Sequence, residues 1–135
     1  MRSNQNEIFP HKWANLEPVS TLFLAHHQST TMTHATTLTS AVQALIQAAP
    51  HTEQIILFGS QARGDADEDS DWDFLVIEPT VENRAQEMVR LRRALRPLRL
   101  AADVLVYSSA EVKQWSHQPG TALYWTAKEG REVYG

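Results

Sequence analysis

Two short apolar runs, Gln54 to Phe58 and Trp72 to Ile77, bracket a stretch rich in glycine and aspartate, and the second run carries an aspartate inside it. The first run is β-branched and aromatic and ends at Gly59, which predicts a buried strand. The second is continuously apolar apart from Asp73, the pattern of a strand covered on both faces. A carboxylate in such a strand is costly unless something pairs with it. Side chains two apart on a strand point the same way, so Asp71 and Asp73 project together while Trp72 faces the other side. Two carboxylates on one face repel unless a cation lies between them. Hard oxygen donors with positions left open for phosphate and water describe Mg²⁺.

The flanking pattern supplies the rest of a small fold. Leu38, Val42, Leu45, Ile46 and Ala49 mark one face of a helix, with Thr36, Thr37 or Thr39 as its cap and Pro50 as its stop. Residues 60–70 read as a loop or a brief helical turn. Met88, Leu91, Leu95 and Leu98 mark a second amphipathic helix from near Thr80 to near Pro97, and Leu100 to Tyr107 reads as a third strand. Short helices are expected over Glu111–Trp115 and Thr121–Glu129, broken by Pro119-Gly120, with Gly130 at the last helix's end. The order predicts an α/β (α+β) fold: a small mixed sheet of three to four strands with helices packed on it.

Around the acids lie the parts of phosphate chemistry. Gly59 lets a ligand approach the backbone, Ser60 adds a hydroxyl, and the following amides can form an anion-binding nest. Arg63 offers a planar fork suited to phosphate, and equally suited to pairing with the acidic loop. Asp103 stands near the start of the third strand. If that strand neighbours the second, three acids can hold two metal ions, an arrangement suited to in-line displacement at phosphorus.

Gly59-Ser60, ten residues, then Asp71-x-Asp73 resembles the signature of the DNA polymerase β nucleotidyltransferase superfamily. With Ala62-Arg63-Gly64 and Ser70, the string resembles the minimal nucleotidyltransferases, or MNT proteins. Four fixed residues at fixed distances arise by chance in about one chain per thousand of this length. The similarity covers about residues 38–135. It implies a polymerase-β-like fold, with a nucleotidyltransferase domain over 36–135. It further implies that Gly59 and Ser60 hold a triphosphate and that Asp71 and Asp73 ligate the metals. Asp103 matches the third carboxylate by position alone. The implied reaction is attack on the α-phosphorus of ATP with pyrophosphate leaving on Mg²⁺. Minimal members commonly act as antitoxins that transfer AMP to a tyrosine of a HEPN-domain toxin, so a HEPN partner is the implied acceptor.

Other readings stay open on the residues themselves. One is a binding module that neutralises a partner by contact; another is nucleotidyl transfer to RNA or a small molecule. The catalytic unit nearly fills the 135 residues, so the acceptor site is expected from a partner or a second subunit. A net charge of −4 argues against sequence-blind nucleic-acid binding without excluding an RNA contact. Six of the sixteen acidic residues fall between Asp65 and Asp73, and six of the twelve basic ones between Arg84 and Arg99. The arginine-rich helix reads first as a solvated face. Trp115, Tyr124 and Trp125 read as packing residues rather than a base-stacking platform.

Residues 1–35 differ in composition and are expected to be a mobile tail or an extension foreign to the native protein, with Met32 as an alternative translation start. There is no cysteine, no run able to span a bilayer and no secretion signal, so the cytoplasm is the expected compartment.

Overall fold

The computed structural model describes residues 33–64, 66 and 70–135; residues 1–32 of the expected 1–35 tail and the tip of the acidic loop lie outside them, while Thr33 to Ala35 cap and begin the first helix. The element order is α1 (His34–Ala48), β1 (Gln54–Phe58), α2 (Ser60–Arg63), β2 (Trp72–Glu78), α3 (Arg84–Ala94), a 3₁₀ turn (Arg96–Leu98), β3 (Ala102–Ser108), α4 (Ser109–Trp115), α5 (Ala122–Glu129) and β4 (Arg131–Tyr134). The strands form one open mixed sheet ordered β3-β2-β1-β4. β1 runs antiparallel to β2 and to β4, while β2 and β3 are parallel and joined through α3.

Alternation along β2 separates two apolar layers. Trp72, Phe74 and Val76 belong to the larger core with Leu45, Leu57, Leu91, Leu95, Val104 and Val106, so this face carries α1 and α3. Leu75 and Ile77 pack on the other face with Leu123 of α5 and Val112 of α4. Both faces are covered, as the unbroken apolar run requires.

Several boundaries moved for local reasons. α1 starts earlier than its apolar stripe because Thr33 is the cap, its hydroxyl accepting from Thr36 N–H at 3.0 Å. Its first residue packs its ring 4.7 Å from that of Trp72. α3 starts at Arg84 rather than near Thr80, since the Asn83 side chain caps it by accepting from Gln86 N–H. Pro97 sits in the 3₁₀ turn that ends this segment. Ser108 and Glu111 form a capping box that lengthens α4 backwards to Ser109. The fourth strand, β4, has no counterpart among the expected elements; it is four residues long and gains its backbone partners from β1.

The arginine-rich segment proves only partly a solvated face. Arg84 donates from Nε to Val106 C=O at 3.0 Å, pairs with Glu111 and lies 4.5 Å over the Tyr107 ring. Arg90 holds Glu87 and reaches the Ala48 carbonyl at the end of α1, tying two helices together. Among the described residues no helix is long and apolar enough to cross a membrane.

Candidate active site

The site begins where β1 ends. Phe58 stands opposite Asp73 in the β1–β2 ladder, and the next residue turns the chain. Gly59 has φ 76° and ψ −158°, a combination essentially closed to residues with a side chain. A Cβ at this position would overlap the Asp73 Oδ2 atom. Glycine is therefore required twice, for the backbone angle and for the space. The Gly59 carbonyl accepts from Ala62 and Arg63 N–H, each at 3.1 Å, forming the single turn of α2, which Gly64 closes at φ 86°.

The return of the loop is held by a residue whose role the sequence does not announce. Gln61 is buried, and its Nε2 donates to the Ser70 carbonyl at 3.3 Å. This bond joins the start of the loop to its end, immediately before Asp71. The motif spacing exposed Gln61 only as one of the variable loop positions, and burial alone distinguishes it.

Asp73 lies directly opposite Asp103 across the parallel β2–β3 ladder. Adjacent strands are about 4.8 Å apart and side chains in register share a face. The row across the sheet is thus Phe58, Asp73, Asp103, followed by the apolar rows Ile56, Leu75, Leu105 and then Ile77, Tyr107. Asp71 is exposed just ahead of β2. The Asp73 carboxyl is pushed above its usual range, first by burial, then by repulsion from Asp103 and Asp71, with Arg63 opposing. The Asp73 carboxylate therefore senses both acidic neighbours.

The three carboxylates are not drawn together into a cage. Among the described residues no group of three acidic or imidazole side chains stands close enough to hold a metal ion. Asp103 instead points to Arg92, Oδ1 to Nη2 3.4 Å, with both side chains largely in water. The chemistry of the donors still suits a hard divalent cation, because the mutual repulsion that raises the Asp73 carboxyl is what such an ion relieves.

Arg63 pairs with Glu129 at the end of α5, at 3.5 Å, so its guanidinium is anchored beside the carboxylates by a residue far along the chain. The expectation that Trp115 and Trp125 are packing residues is corrected: they are 41% and 51% exposed. Leu123 and Thr126 provide the buried contacts of α5, and Trp125 lies on its outer side, edge-to-face with Tyr124.

The model of the nucleotidyltransferase domain family matches residues 38–130, from α1 to the end of α5. No curated protein matches this chain. The solved structures that share its fold include three toxin–antitoxin complexes. One is a complex of tri-AMPylated HEPN toxin with MNT antitoxin from Shewanella oneidensis, at 14% identity and TM-score 0.53, covering 76% of this chain and 73% of that one. A toxin–antitoxin complex with AMP-PNP matches at 17% identity and TM-score 0.53, over 71% and 72% of the two chains. A mutant of the MntA–HpeT toxin–antitoxin matches at 18% identity and TM-score 0.52, over 73% and 72%. At these identities the likeness is one of fold, and it is a likeness to MNT-type chains. The family match spans every element that builds the carboxylate row and its glycine turn, and the chain belongs to the nucleotidyltransferase domain family.

Proposed function

We propose that the chain transfers AMP from ATP to a protein acceptor, and that the acceptor is a HEPN-type toxin for which it serves as antitoxin. One observation carries the chemistry: a glycine-only turn lies against Asp73, and Asp73 lies beside Asp103 in one row across the sheet. The nature of the acceptor draws its support from the fold neighbours, which include an MNT antitoxin with an AMPylated HEPN toxin.

In this reading the open turn at Gly59 admits the polyphosphate. The first amides of a helical turn lack intrahelical acceptors, so Ser60 and Gln61 N–H donate to phosphate oxygens, with the Ser60 hydroxyl beside them. Arg63 neutralises phosphate charge from the Glu129 side. Asp71, Asp73 and Asp103 would hold Mg²⁺, two ions in the full complement, which supplies charge neutralisation for the departing pyrophosphate. An acceptor hydroxyl oxygen forms the new bond to the α-phosphorus as the bond to pyrophosphate breaks. In the same reading Asp103, on the edge strand β3, takes the hydroxyl proton.

The test is intact-mass measurement of the HEPN partner after incubation with the purified chain, ATP and Mg²⁺. AMP-sized additions are expected with the wild type and none with Asp71→Asn or Asp73→Asn. Undiminished modification by the double variant would refute the assignment. The acids of the described residues form no gathered cage, which favours a second reading, neutralisation by contact alone. Under that reading the same double variant would still protect cells from the toxin.

A further inference from the structure

Arg92 and Asp103 occupy the place where a cation belongs. Asp103 is matched in register with Asp73, yet its Oδ1 is turned to Arg92 Nη2 at 3.4 Å. Arg92 comes from the last turn of α3, whose buried side chains Leu91 and Leu95 seat it on the opposite face of the sheet. Its guanidinium therefore reaches round the edge strand β3 to meet the carboxylate. Its neighbour Arg93 makes no such contact among the described residues.

We propose that Arg92 is a built-in counter-ion that competes with divalent metal for Asp103, so that ion binding completes the carboxylate row only by displacing it. This rests on the metal-site reading given above and deepens it. Three features support the exchange. The Arg92 guanidinium is a cation within ion-pair distance of Asp103, so it balances that carboxylate without a metal. The pair is 47% and 61% exposed, which keeps their attraction weak enough for a divalent ion to replace it. Asp73 stands in register beside Asp103, so a divalent ion between them meets two carboxylates where the guanidinium meets one. In-register side chains on adjacent strands need only a rotamer change to meet, so no backbone movement is required. Once displaced, Arg92 stays at the rim of the site as a free guanidinium. Arg92 is thus a positioning residue, acting through Asp103.

The test is Mn²⁺ titration of the full chain without nucleotide, followed by electron paramagnetic resonance of the free ion. Arg92→Ala is expected to bind Mn²⁺ more tightly, by about two- to fivefold, the ratio appropriate to an exposed ion pair. Arg93→Ala removes an equal charge from the same helix turn and is expected to leave the affinity unchanged. In an Asp103→Asn background, replacing Arg92 should bring no gain, because its target is gone. Equal or weaker binding by Arg92→Ala overturns the proposal. So does a gain of the same size with Asp103→Asn or with Arg93→Ala, since it would reflect only the general field. A wild-type chain that takes up no Mn²⁺ fails before any variant is compared, and removes the metal-site reading together with this one.

Discussion

Asp73 and Asp103 face each other across neighbouring parallel strands, and of the two only Asp73 is partly buried. That difference divides their roles. Asp73 bears the cost of lost solvent and of two acidic neighbours, while Asp103 remains in water and is neutralised by Arg92. A fold tolerates a half-buried carboxylate beside like charges when function requires it there.

Replacing Asp73 by Asn should therefore separate stability from activity. Its folded-state carboxyl binds a proton more tightly than in the unfolded chain, so its charge opposes folding once the pH passes that raised value. With EDTA present at pH 7, urea denaturation should find Asp73→Asn as stable as the wild type or slightly more so, within about 0.5 kcal/mol after screening by water. Nucleotidyl transfer should fall by about a hundredfold or more.

Gly59→Ala should damage the fold itself. The positive φ and the overlap with Asp73 together predict a loss of about 2–4 kcal/mol in urea denaturation, of which the backbone strain accounts for about 1–3 kcal/mol. Adding Asp73→Ala should recover the overlap component and leave the strain, so the double variant should be more stable than Gly59→Ala alone.

Gln61→Leu keeps the buried volume and removes the donor to Ser70 C=O. A stability loss of about 0.5–1.5 kcal/mol is expected, as for one ordinary hydrogen bond. Because that bond fixes the approach to Asp71, Mn²⁺ affinity measured by calorimetry should also fall. An unchanged affinity would limit Gln61 to a packing role.

At the far end of β2, Glu78 is pushed up from 4.5 to about 7, first by burial and then by its hydrogen bond to Glu87. Glu87 is held low, chiefly by Arg90. The proton on Glu78 thus favours the fold below about pH 4.5, and this contribution is lost as the pH rises to about 7. Glu78→Gln keeps a donor toward Glu87 and carries no charge. Thermal unfolding should find it more stable than wild type at pH 8, by about 1 kcal/mol after allowance for water, with the difference vanishing near pH 4.

The strand pair around the motif was legible because its evidence is local. Alternation placed Asp71 and Asp73 together, the apolar run marked β2 as covered on both faces, and Gly59 marked a turn with a close approach. Caps were less so, since Thr33, Asn83 and Ser108 compete with neighbouring residues of equal capping ability, and only the packed helices select among them. β4 left no signal, because four residues become a strand only by borrowing the hydrogen bonds of β1. The exposure of Trp115 and Trp125 was likewise hidden, since an aromatic in a short helix has the same pattern whether it faces the sheet or water.

The amino-acid sequence alone determined which residue types stand at which spacing: a glycine turn, a hydroxyl, a loop, an acid just ahead of a strand and a second acid inside it, each set by the geometry of its own few neighbours. The tertiary structure decided which distant side chains meet them. Asp103 entered the row through the β2–β3 register, Glu129 through the end of α5, and Arg92 by reaching round β3. These meetings depend on how helices and strands pack, a property of the whole chain that no local window contains.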